Sequence, residues 1–63
     1  MLISIDANND SLSIDGGGAP QATWRIKHAH QQHLILSELL HRLDIAGVTL
    51  EYIDEDTRIS EEW

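Results

Sequence analysis

Between Ala22 and Leu43, the positions Ala22, Ile26, Ala29, His33, Leu36, Leu40 and Leu43 recur at intervals of 4, 3, 4, 3, 4 and 3 residues. This is a heptad seam with His33 as its only polar member. No Gly or Pro interrupts the chain between Pro20 and Ile45, and the leucine-rich run from His33 to Leu43 is strongly helix-forming. Pro20 suits a first helical turn, where its missing N–H costs nothing. Thr23 is an alternative cap one turn later. Gly47 is a natural stop, since it accepts the left-handed conformation. The spacing therefore predicts one long helix of about 25 residues.

More apolar residues lie off this stripe. At ~100° per residue, Trp24, Ile35 and Leu39 form a second strip beside the seam, and Leu34 sits nearly opposite it. Three short strands cover one face of a helix, not two. The surplus at Trp24, Ile35 and Leu39 points to a homodimer or partner interface, because large apolar patches on small chains mark interaction sites. The alternative is a few tolerated exposed residues, which are common.

Residues 2 to 6 and 11 to 15 alternate apolar and polar side chains: Ile3 and Ile5 in the first, Leu12 and Ile14 in the second. A period of two is the half-buried strand pattern. Ala7-Asn8-Asn9-Asp10 between them is dense in turn formers, so a β-hairpin is expected. Gly16-Gly17-Gly18 reads as a flexible joint and lacks the lysine and spacing of a phosphate loop. Val48 to Ile53 alternates again and reads as a third strand. The expected fold class is α+β, a small β-β-α-β module doubled by two-fold symmetry. Residues 1–53 form its single domain and residues 54–63 an acidic C-terminal tail.

The chain has 63 residues and no cysteine. Disulfides and thiolate zinc sites are excluded. A chain this short is marginal as a monomer, so oligomerisation or a partner surface is the expected support. No signal peptide or membrane span is apparent, and a cytoplasmic protein is expected.

Eleven Asp and Glu face four Lys and Arg, for a net charge of -7. Six of the acids, Glu51, Asp54, Glu55, Asp56, Glu61 and Glu62, lie in the last thirteen residues. Such a chain repels nucleic acid and anionic membrane. If charge guides binding, the partner is a protein with a basic surface. The plainer reading is that the acid keeps a small protein soluble.

Four histidines, His28, His30, His33 and His41, fall within fourteen residues. His30, His33 and His41 share one side of a helix, but His41 is about 12 Å along the axis from the other two. The spacing is not that of a zinc-protease helix. No metal and no cofactor is expected. His33, in the apolar seam, is the candidate for pH sensing, since charging it there costs desolvation. The plainer reading is a neutral, hydrogen-bonded histidine. No constellation of nucleophile, base and oxyanion donors is visible, and no enzyme is expected. Arg25, Lys27, Arg42 and Arg58 form no basic stripe, so direct nucleic-acid binding is not expected either.

The function expected from size and charge is protein binding. The sharpest form is an inhibitor of the kind phages and mobile elements carry against basic nucleic-acid-handling machinery, CRISPR effectors included, acting by charge complementarity as a DNA mimic. The residues assigned to it are Glu51, Asp54, Glu55, Asp56, Glu61, Glu62 and Trp63. The alternative is an assembly or antitoxin-like subunit that binds through the apolar helix face.

Overall fold

The computed structural model describes residues 1–16 and 21–63. Gly17, Gly18 and Pro20, assigned above to a joint and a helix start, lie outside the described residues. The fold is α+β: a five-stranded mixed sheet with one helix on one face.

In chain order the elements are β1 (Leu2–Asp6), β2 (Ser11–Asp15), β3 (Ala22–Arg25), α1 (Ala29–Arg42), β4 (Thr49–Ile53) and β5 (Arg58–Glu62). Strands β1 and β2 occupy the residues their alternation assigns, and β4 lies within the expected third strand. Across the sheet the order is β3-β2-β1-β4-β5. Only β1 and β4 pair in parallel; the other three pairings are antiparallel.

Three expectations are corrected. The helix has 14 residues, and it begins at Ala29. Ala22 to Arg25, expected in its first turns, is instead edge strand β3. The reason is legible in retrospect: Ala22, Trp24 and Ile26 alternate with Thr23, Arg25 and Lys27, and Thr and Trp both favour the pleated surface. Thr23 is therefore no helix cap, and Trp24 does not share a helical strip with Ile35 and Leu39. His28 makes the break, with left-handed backbone at φ 56°, ψ 55°. The element order is thus β-β-β-α-β-β. The second correction concerns residues 54–63, expected as a tail. They form the turn after β4 and then edge strand β5, registered Tyr52 to Ile59 and Leu50 to Glu61.

The third correction concerns the helix end: α1 stops at Arg42 with Leu43 as its cap, not at Gly47. Asp44 takes left-handed backbone at φ 52°. The Asp44 amide donates to the His41 carbonyl and the Ile45 amide to the Leu40 carbonyl, both at 3.4 Å. This pair of reversed bonds is the Schellman ending, which satisfies carbonyls that the last turn leaves free.

Register sorts the side chains into two faces. Facing the helix are two rows, Ala22-Ile14-Ile3-Leu50-Glu61 and Trp24-Leu12-Ile5-Tyr52-Ile59. Ile3, Ile5, Leu50 and Tyr52 pack there against Ala29 and Leu40 of α1 and against Val48. Ile5 and Leu50, neighbouring rows on the two central strands, are fully buried. The helix lies over β1 and β4. The opposite face is polar, and its middle row reads Thr23-Ser13-Ser4-Glu51-Ser60. One apolar face and one hydrated face is the usual state of a two-layer α+β unit. No helix among the described residues is long and apolar enough to cross a membrane.

Candidate protein-binding surface

Parallel pairing of β1 and β4 has a consequence for charge. Both strands end on the same side of the molecule, so the turns that follow them emerge side by side. The Ala7 amide donates to the Ile53 carbonyl at 2.8 Å and ties the two turns together.

The first turn is built on Asp6. Its carboxylate accepts the Asn8 amide at 2.9 Å, the Asn9 amide at 3.3 Å and the Asn9 side-chain Nδ2 at 2.8 Å. The Asn9 side chain in particular holds the Asp6 carboxyl below its ordinary value. Asp10 closes the turn with left-handed backbone, and its carbonyl accepts the Ile26 amide at 2.9 Å.

The second turn is built on Asp54. Its amide donates to the Thr57 carbonyl at 2.8 Å, and its Oδ1 accepts the Glu55 amide at 2.6 Å. Its Oδ2 accepts the Tyr52 hydroxyl at 3.1 Å. Burial, with that hydrogen bond and the Asp54 charge added, pushes the Tyr52 phenol up from its ordinary value. Asp54, Glu55 and Asp56 are all exposed. Together the two turns gather five carboxylates, those of Asp6, Asp10, Asp54, Glu55 and Asp56, on one end of the sheet.

The first turn of α1 reaches the same end. A hollow of about 390 Å³ lies there, lined by Ala7, Asp10, His28, His30, Gln31 and Tyr52. A neighbouring hollow of about 360 Å³ is lined by Asn9, Asp10, Arg25, Ile26 and Lys27. Charge therefore runs across this end from the cationic β3 corner to the acidic β4–β5 turn.

The other acids expected to act with Asp54, Glu55 and Asp56 are dispersed. Glu51 lies in the middle of the polar sheet face, where it accepts Ser4 Oγ at 3.3 Å and pairs with Arg58 at 3.1 Å. Glu62 shares that face, in the row of Leu2 and Thr49. Glu61 turns to the helix side, its Oε1 at 3.5 Å from His33 Nε2. Trp63 lies at the far end, half-buried against the core, with its amide donating to the Val48 carbonyl at 2.8 Å and its ring 5.1 Å from that of His41. Sequence reasoning grouped these six acids by chain position. It left out Asp6 and Asp10, because proximity there depends on the parallel pairing of β1 with β4, strands far apart in sequence.

His33 is buried, at 5% exposure, and its ring lies tilted against Tyr52 at 5.1 Å. Its Nε2 has no hydrogen-bond partner, so the Glu61 carboxylate is its nearest polar company. His30 also meets Tyr52, edge-on at 5.8 Å. The three histidines do share one helix flank, and each faces an aromatic ring of the β4–β5 side. No group of three His, Cys, Asp or Glu side chains among the described residues is arranged to hold a metal ion.

The apolar interface candidates remain open to solvent: Trp24 is 51% exposed, Ile35 53% and Leu39 45%. The basic residues are scattered. Arg25 and Lys27 sit at the β3 corner, Arg42 pairs with Glu38 at 2.8 Å on the helix, and Arg58 pairs with Glu51 on the polar face.

Fold and surface together define a small two-layer α+β module with an acidic end and an uncovered apolar flank. Comparison with known proteins finds no family model, curated protein or solved structure that matches this chain.

Proposed function

We propose that this chain is a protein-binding module that docks its acidic end onto a basic surface of another protein. The observation that carries this reading is the meeting of the two turns. Five carboxylates with only short-range partners stand together on one end of a chain of net charge -7. The Asp6 and Asp54 carboxylates are hydrogen-bonded within their turns, so these two charges are held in place before binding, and preorganisation lowers the cost of association. A partner that handles nucleic acid presents such a basic surface, and occupying it would block access to phosphate. An inhibitor of the phage or mobile-element type is the form this proposal takes, with Asp54, Glu55 and Asp56 as its principal contacts.

The test reverses those three charges together, as Asp54→Lys, Glu55→Lys and Asp56→Lys. The substituted chain is compared with the original for inhibition of DNA binding by a panel of basic nucleic-acid-handling proteins, across a salt series. The proposal expects weaker inhibition from the reversed chain, and an original inhibition that fades as salt rises. Equal inhibition by both chains, with no salt dependence, overturns it.

A second reading, an assembly or antitoxin-like subunit, draws support from one observation: Ile35 and Leu39 stay half-exposed on the helix. Changing both to lysine separates the two readings, since it abolishes binding through the helix and leaves binding through the acidic end intact.

A further inference from the structure

Five strands at ~4.8 Å spacing make a sheet of roughly 20 Å or more in width. One helix, ~10 Å across with its side chains, covers about two of them. Here α1 covers β1 and β4. Its histidine flank turns to β4 and β5, where His33, His30 and His41 meet Tyr52, Glu61 and Trp63. The opposite flank therefore overhangs β2 and β3. By strand register and helical geometry, that flank and the helix-facing side of those strands bound an apolar trough. Its floor is Leu12 and Ile14, both half-buried, and the exposed Trp24. Its wall is Ile35, Leu39 and Leu43, at i, i+4 and i+8, with the half-buried Gln32 inside the same arc of about 80° by helical geometry.

We infer that the occupant of this trough is helix α1 of a second copy of the chain. Three observations favour a second copy over any other partner. The first is width: the uncovered strands have room for one helix beside α1. The second is reciprocity. The trough lacks an apolar helix, and α1 carries an apolar stripe that lacks a cover. A two-fold rotation meets both needs with one surface, which is the isologous solution. An axis near Leu39 sets Ile35 of one copy against Leu43 of the other, with the helices antiparallel.

The third is charge. Of the eleven acids only Glu38 lies within α1, and it is paired with Arg42 at 2.8 Å. The helix-facing side of β2 and β3 carries none. Two chains of net charge -7 thus meet where neither α1 nor the helix-facing side of β2 and β3 presents an unpaired carboxylate. Trough and stripe hold four of the nine exposed large apolar residues among the described residues. A standard interface needs ~800 Å² per partner. That is less than a fifth of this chain's 4528 Å² surface.

The experiment is sedimentation equilibrium of the full chain over a wide concentration range, at low and high salt. A dimer is expected, with a mass that survives high salt because the contact is apolar. Ile35→Lys with Leu39→Lys, both at exposed positions, should keep the far-ultraviolet dichroism and weaken dimerisation by at least 100-fold. Leu39→Cys adds a readout that does not depend on tolerance of lysine: the chain has no other cysteine, and mild oxidation should link two copies across the axis. A chain that is monomeric throughout overturns the inference. So does a dimer that salt dissolves, a dimer indifferent to the lysine pair, or a Leu39→Cys chain that stays unlinked. Reversal of Asp54, Glu55 and Asp56 leaves the dimer mass unchanged, so failure of the acidic-end proposal and failure of this one are told apart.

Discussion

The Ala7 amide and the Ile53 carbonyl are 2.8 Å apart, although 46 residues of chain separate them. This bond continues the parallel β1–β4 pairing by one step and joins two acidic turns. Everything proposed for the acidic end depends on that central pair of strands, and the core beneath it is the first thing to perturb.

Leu50 is fully buried between α1 and the neighbouring Ile3. Leu50→Ala removes methylene contacts and leaves a cavity, at a cost of about 2–5 kcal/mol. A single core in a chain this small supplies no more than ~3–5 kcal/mol. Chemical denaturation should therefore find Leu50→Ala largely unfolded. A well-folded variant with little change in its midpoint would show that the core lies elsewhere.

Asp44 holds left-handed backbone at a helix C-terminus, where a side chain costs ~1–2 kcal/mol relative to glycine and a negative charge opposes the helix dipole. Asp44→Gly should raise the unfolding free energy by about 1 kcal/mol. Gly47 makes the converse case. A Cβ there meets nothing within 4 Å, yet φ is 77°, so Gly47→Ala should lose about 1 kcal/mol through backbone strain alone. Paired thermal melts check both signs.

Asp6 titrates below its ordinary value of 3.8 in the folded chain, because the Asn9 side chain bonds its charged form. The unfolded state then binds the proton more readily than the folded state does. The stability this contributes is complete above pH 3.8 and is lost as pH falls through the lower folded value. Asp6→Asn should flatten that acid limb in urea melts run at successive pH values. An unchanged limb would remove Asp6 from the account.

Tyr52 shifts the other way. Its folded pKa lies above 10.0, chiefly from burial and then from Asp54, so its contribution is complete below pH 10.0 and is lost as pH rises through the folded value. Tyr52 is the only tyrosine in the chain, and tyrosinate absorbance reports it without ambiguity. Asp54→Asn should bring the titration back toward 10.0. If the absorbance curve does not move, the bond from Tyr52 to Asp54 is not made in solution.

The hairpin was legible from Ile3, Ile5, Leu12 and Ile14, because alternation is a local property and needs no partner to be read. So was the strand through Leu50 and Tyr52, and so was the helix through His33 and Leu40. Ala22 to Ile26 was not, since its residues satisfy two patterns at once. Ala22 and Ile26 fit the heptad seam, and Ala22, Trp24 and Ile26 fit a strand. Pairing with β2 decides between them. Arg58 to Glu62 was missed for a related reason: as an edge strand it has one neighbour, and Ile59 is its only apolar residue. The acidic surface was grouped by chain position, which joined Glu61 to Glu62, although strand geometry sends them to opposite faces.

Taken alone, the sequence determined local character: which segments alternate, where turns concentrate, that the helix has more apolar surface than three strands cover, and that the chain is acidic. Those are short-range properties of side-chain order. Tertiary structure decided which strands are neighbours, which turns share an end, and which flank of α1 stays bare. These depend on contacts between residues far apart in the chain, and only the closing of the sheet around Ile5 and Leu50 selects among them.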